Sequence, residues 1–134
     1  GTYLNTIGGL DVFMAKFSAD GTLNWAKNVA YGTYNQIANG MCIDTDGNIV
    51  IVGVFLNYIS FYGGVYTLTS PNPSVRQNFI AKFNSSGTPL WSKMIEGDNA
   101  ASYIRSVSAY NNEYYFSGQY IGTLNFGTWV NRQN

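Results

Sequence analysis

Residues 12–25 read VFMAKFSADGTLNW, and residues 78–91 read NFIAKFNSSGTPLW. Phe13, Ala15, Lys16, Phe17, Gly21, Thr22, Trp25 and Lys27 return as Phe79, Ala81, Lys82, Phe83, Gly87, Thr88, Trp91 and Lys93, each 66 positions on. The likeness extends outward. NIVIVGVFLNYISF (48–61) returns as EYYFSGQYIGTLNF (113–126), 65 positions on, with Gly53 on Gly118 and Phe61 on Phe126. GTY (1–3), GVY (64–66) and GTW (127–129) open successive copies 63 positions apart, and RQN at 76–78 is echoed at 132–134. The chain thus divides into repeat 1 (1–63), repeat 2 (64–126) and the start of a third (127–134). Periods of this size belong to propellers and related arrays.

The local pattern selects strands. Phe13, Ala15 and Phe17 fall on one face of a period-two alternation, as do Phe79, Ala81 and Phe83. ADG (19–21) and SSG (85–87) then punctuate runs that end in Trp25 and Trp91, which is strand–turn–strand. GMCIDTDGNIVIVGVF (40–55) is a second hairpin turning at Asp-Gly; SVSAYNNEYYFSGQY (106–120) turns at Asn-Asn, a pair that also tolerates positive φ. NIVIVGVF is apolar on both faces, as in a sheet sandwiched between two others. Stacking such sheets in a ring buries both faces, with the Phe and Trp positions filling the space between them. Burial of each aromatic is worth roughly 2–3 kcal/mol.

These blocks, with DTDGN at 44–48 and SFYGGVYTLTS at 60–70, resemble the SBBP-type (seven-bladed) β-propeller repeat found in large secreted or surface-attached bacterial proteins. The resemblance spans nearly the whole chain, although the second copy carries YNNE where DTDGN is expected. It implies an all-β fold of β-propeller blades, each a four-stranded antiparallel sheet, in two repeats of about 63 residues belonging to a larger ring. ANGMCID would lie nearest the axis, with NIVIVGVF, NFIAKF and PLWSKM successively outside it. Residues 1–29 would supply the outer half of one blade, 37–95 a whole blade and 104–134 the inner half of a third. The stretch 59–68 would be an added hairpin or edge extension. A ring needs more blades than this. The chain is therefore expected to continue into further blades of a longer protein, or to form a homo-oligomer whose copies complete one another's split blade.

Composition narrows the function. Seven Lys and Arg balance seven Asp and Glu, and charged residues are 10% of the chain, so no basic surface exists for nucleic acid or for an anionic bilayer. The longest apolar run, IVIVGVFL (49–56), falls far short of the roughly 20 residues that cross a membrane. Solubility rests on Asn, Ser, Thr, Gln and Tyr, which points to an extracellular or cell- or particle-surface setting. Histidine is absent, which removes the commonest general base and zinc ligand. Cys42, the single cysteine, reads as a small buried hydrophobe. Asp44, Asp46 and Asn48 lack the order of a calcium loop, since Gly47 follows the second Asp directly, and they read as a hairpin turn. Glu96 and Asp98 read as a solvated loop rather than a facing carboxylate pair. Asn84 opens a glycosylation sequon on a turn. Lys16 and Lys82 read as stems along apolar surface with their ammonium groups in water. No catalytic residue, cofactor or metal is expected.

The connections after the Trp strands are the candidate ligand-facing loops. NVAYGTYNQ (28–36) offers Tyr31, Tyr34, Asn35 and Gln36; IEGDNAASY (95–103) offers Asp98, Asn99 and Tyr103. Tyr beside Asn or Asp suits stacking on, and hydrogen bonding to, sugars or peptide surface. The expected function is a non-enzymatic structural or binding module for a protein or glycan partner. A lectin with one weak sugar site per blade is the alternative, and a non-catalytic part of a larger propeller enzyme comes third.

Overall fold

A computed structural model describes residues 1–127 of the chain. Apart from Gly127, the start of the third repeat (127–134) and its RQN lie outside the described residues. Eleven strands follow in order: β1 (Val12–Phe17), β2 (Leu23–Tyr31), β3 (Gln36–Ile43), β4 (Ile49–Phe55), β5 (Tyr58–Phe61), β6 (Tyr66–Thr69), β7 (Gln77–Phe83), β8 (Pro89–Gly97), β9 (Tyr103–Tyr110), β10 (Glu113–Gln119) and β11 (Leu124–Asn125). One 3-10 turn, Tyr62–Gly64, joins β5 to β6, and no α-helix occurs among the described residues. All pairings are antiparallel. The fold is all-β, built of propeller-type blades that do not close into a ring.

The central blade runs β3-β4-β7-β8, the order expected for residues 37–95, with β11 added outside β8. β1 and β2 form the outer half of a leading blade, and β9 and β10 the inner half of a trailing one. The 59–68 stretch is indeed a hairpin, β5–β6, but it does not extend its own blade. It returns to the leading half-blade and pairs β5 with β2 through Ala30↔Phe61 and Tyr31↔Ser60. β11 repeats this move by pairing with β8. Each outer edge is thus covered by chain that has already passed through the inner half of the next blade. Consecutive blades are interlaced, and the outer edges pass from the long β2 and β8 to the short β6 and β11.

β4 explains why the sheets stack: all seven of its residues are buried. Ile49, Ile51 and Phe55 face the leading half-blade and join Val12, Met14, Val29, Ala30, Ile59, Phe61, Phe79 and Phe83 in one core. Val50 and Val52 face the trailing half-blade and pack with Ile80, Ile95 and Ile104. Phe79 and Phe83 therefore fill inter-blade space as expected. Their copies do not: Phe13 and Phe17 are 65% and 59% exposed, because they point away from the central blade. Trp25 and Trp91 are partly buried beside the two cores.

The two ends of the blades differ. One end carries tight turns of a single design. Ser18, Asp44 and Asn84 each donate a backbone N–H to the residue four further on, and each accepts one from Gly21, Gly47 or Gly87. The trailing hairpin reaches a comparable reversal with Asn111 and Asn112 at φ 49° and 61°, the left-handed region that asparagine tolerates. The opposite end carries the longer connections between sheets, at 32–35, 70–76 and 98–102.

Candidate functional site

At the tight-turn end the DTDGN hairpin holds a buried polar cluster. Asp44 Oδ1 accepts the backbone N–H groups of Asp46 (3.0 Å) and Asn48 (2.8 Å), which shapes the turn. Its Oδ2 faces the neighbouring blade. Lys82 Nζ lies 2.8 Å away, and the Tyr114 hydroxyl donates to it at 2.7 Å. Lys82 also donates to the Tyr114 oxygen at 2.7 Å and sits 5.4 Å from that ring's centroid. Three elements therefore meet: the inner turn and outer strand of the central blade, and the inner hairpin of the trailing one. Burial alone would raise the Asp44 carboxyl, but Lys82, Tyr114 and the Asn48 N–H groups outweigh it and hold it well below the ordinary carboxylate range. Burial raises the Tyr114 phenol, and the Asp44 carboxylate it donates to raises it further. The Asp44 side chain has no solvent access, so the cluster has no open position for a substrate.

This corrects the reading of Lys82, whose ammonium is paired with a buried carboxylate rather than left in water. Lys16 remains exposed. Asn84 uses its side-chain oxygen as Asp44 does, accepting from the Ser86 and Thr88 backbone at 3.0 and 2.9 Å. Cys42 is half-buried at the seam, where burial and then the Asp44 charge push its thiol up. No group of three or more acidic, His or Cys side chains able to hold a metal occurs among the described residues, and none of their helices is long and apolar enough to cross a membrane.

The loop end holds the sequence-derived candidates. Tyr34 is 52% exposed at the tip of its connection. Tyr31 ends β2, half-buried opposite Ser60. The Asn35 side-chain oxygen accepts the Leu10 N–H at 3.1 Å. Gln36 lies inside the structure, 1% exposed, donating to the Tyr58 carbonyl at 3.3 Å. In the second connection, Asp98 accepts the Thr123 N–H (2.9 Å) and Asn99 that of Ala101 (3.0 Å). The Tyr103 oxygen accepts from Arg76 at 2.8 Å, and the Arg105 guanidinium stacks 4.7 Å from its ring centroid. Only Tyr34, Asn35, Asp98 and Asn99 lie in the two connections, which are shorter than expected, while Tyr31, Gln36 and Tyr103 belong to the flanking strands β2, β3 and β9.

Beside the second connection lies a groove of about 360 Å³ lined by Pro71, Asn72, Val75, Glu96, Asp98 and Asn125, among others. Glu96 is not in a loop: it lies in β8, half-buried, opposite Asn125 of β11. Of this lining the sequence singled out Asp98 as ligand-facing and Glu96 only as part of a solvated loop. The returning β11 builds the other wall, and its signal was present in the match of Phe61 to Phe126.

No family model matches the chain. An uncharacterized WD repeat-containing protein of Acanthamoeba polyphaga mimivirus is 30% identical to it in an alignment 133 positions long that covers 93% of this chain and 9% of that protein. The chain thus spans about a tenth of the length of the relative it matches. A WD-repeat relative accords with the propeller-type repeat.

Proposed function

We propose that this chain is a non-catalytic protein-interaction segment of a β-propeller, of the SBBP type its paired AKF blocks resemble. The difference between its two ends carries the reading. Tight turns and a sealed ion cluster make one end rigid, while the other presents the variable connections and the groove beside Asp98. Rigid scaffolds with binding confined to loops are the common arrangement for recognition. The similarity to a WD repeat-containing protein supports the same class. Glu96 and Asp98 line the groove without a basic side chain among its lining residues, so a cationic segment of a partner protein is the fitting occupant. The low charge and the Tyr- and Asn-rich surface favour a place outside the cell or on a particle surface.

The test is selection from a displayed peptide library, followed by titration of the winners against wild type, Glu96→Gln and Tyr34→Ala. Basic peptides whose affinity falls severalfold with Glu96→Gln support the reading. Failure to select any peptide, together with sugar-specific retention on a glycan array that Tyr34→Ala abolishes, replaces it with the lectin.

A further inference from the structure

Two arginines converge on one phenol at the loop end. Arg76, which closes the 70–76 connection, donates from Nη1 to the Tyr103 hydroxyl oxygen at 2.8 Å, and its guanidinium carbon lies 5.4 Å from the ring centroid. Arg105, two residues beyond Tyr103 on β9, holds its guanidinium carbon 4.7 Å from the same centroid. Neither arginine pairs with a carboxylate among the described residues; Glu96 and Asp98 line the groove instead. Tyr103 uses its oxygen to accept from Arg76, so its own proton remains to be donated. Like charges gathered in this way repel each other, and an anion shared between them replaces the repulsion by attraction.

The blade itself does not require this arrangement. Ala38 pairs with Gly53 as Ile104 pairs with Gly118, which fixes the correspondence between β3 and β9. The 66-residue shift then carries Arg76 to Leu10, Tyr103 to Ile37 and Arg105 to Asn39. Repeat 1 thus builds the same three positions without a charge. The guanidinium pair is a property of one place on the loop end and not of the repeat.

That place adjoins the groove. Val75 and Gln77, on either side of Arg76, both line it, as does Asp98, which opens the connection leading to Tyr103. A segment lying in the groove therefore rests against the immediate neighbours of Arg76.

We propose that Arg76, Arg105 and Tyr103 take an acidic side chain of the partner protein, carried on the same segment whose basic side chain meets Glu96 and Asp98. A carboxylate offers two oxygens to guanidinium N–H donors, the geometry in which arginine binds most strongly, and the Tyr103 hydroxyl supplies a further donor. The segment carries both signs of charge, and the order of the two contacts sets its direction: reversed, it brings like charges together at both places. This rests on the reading of the groove as a protein-partner site.

The test titrates basic peptides selected from a displayed library against wild type, Arg105→Gln and Arg105→Lys. Arg105 is exposed, and circular dichroism checks that both variants keep the fold. The selected peptides should carry Asp or Glu near their basic residue, bind severalfold more weakly to Arg105→Gln, and recover in part with Arg105→Lys. Changing the peptide's acid to its amide should weaken binding to wild type severalfold and to Arg105→Gln much less. Peptides that lack an acid, or whose acid matters equally to both proteins, overturn the proposal and leave the groove reading standing. A loss with Arg105→Gln and none with Glu96→Gln overturns the groove reading and keeps the arginine site. A second arm needs no peptide: succinate is titrated at constant ionic strength while the side-chain Nε–H resonances of Arg76 and Arg105 are followed. Saturable shifts of both, with that of Arg76 lost in Arg105→Gln, support the site. Unmoved resonances overturn it, and saturation at a lower concentration of inorganic phosphate than of succinate replaces the acidic side chain by a phosphate group.

Discussion

Lys82 Nζ lies 2.8 Å from Asp44 Oδ2, joining the outer strand of the central blade to its inner turn across 38 residues of sequence. Tyr114 of the next blade bonds both partners, so the pair also fastens one sheet to its neighbour. The carboxylate accepts five hydrogen bonds in all, from Asp46, Asn48 (two), Tyr114 and Lys82, which is why a charge is tolerated there.

Removing the carboxylate leaves the ammonium, the phenol and two turn N–H groups without their acceptor. Asp44→Ala is expected to destabilise the fold by about 3 kcal/mol, the low end for a broken buried pair, because Lys82 retains some solvent access. Asp44→Asn keeps the Oδ1 acceptor of the turn but sets an amide donor where Lys82, Tyr114 and the Asn48 side chain donate, and should cost about 2 kcal/mol, less than Asp44→Ala. Urea denaturation of both variants checks the order.

The pH dependence follows from the same cluster. Asp44's folded pKa is depressed, so its contribution is present above the unfolded value of about 3.9 and is lost as pH falls below it. Tyr114's folded pKa is raised, so its contribution is present below the unfolded value of about 10 and is lost as pH climbs past it. Melting temperature against pH should fall on both sides. Asp44→Asn should flatten the acid limb, and Tyr114→Phe should flatten the alkaline one.

Gly53 is required by close approach. A Cβ there would lie 2.0 Å from the Ile37 carbonyl oxygen, and one on Gly118 would lie 2.1 Å from that of Tyr103. Both glycines stand beside register irregularities in their ladders. Gly53→Ala in the fully buried β4 should cost about 3 kcal/mol. Gly118→Ala meets its clash on the exposed trailing hairpin, where the strand can shift, and should cost less. Thermal denaturation of the two variants compares them.

Phe61 fastens the returning hairpin, edge-on to Phe79 and to Phe83 with centroids 5.7 and 6.0 Å away. Phe61→Ala is expected to cost about 3–5 kcal/mol. The loss should appear first as faster amide exchange in β5 and β6, whose hold on the leading half-blade is a two-residue pairing. Uniform exchange across all strands would argue against interlacing as a separate, weaker contact.

Strands, turns and repeat spacing were legible in the residues because each is dictated locally. Alternation puts Phe79, Ala81 and Phe83 on one face. The Gly of ADG, TDG and SSG supplies the positive φ of each turn, at 84°, 77° and 80°. Asn111 and Asn112 do the same where glycine is missing. The strand order of the central blade, by contrast, came from the resemblance to propeller repeats, and the observed β3-β4-β7-β8 order agrees with it. Tertiary structure alone decided the rest. Nothing near residues 58–69 says that this hairpin crosses back to the preceding sheet; only the apolar face of Phe61, meeting Phe79 and Phe83, selects that place. Lys16 and Lys82 occupy the same position in the same motif, yet one is solvated and the other is bound to a buried carboxylate. The difference lies in Asp44 and Tyr114, 38 and 32 residues away, which reach Lys82 only after three sheet elements have stacked. Local chemistry specifies which segments are strands, whereas burial and charge pairing between distant segments specify what each strand meets.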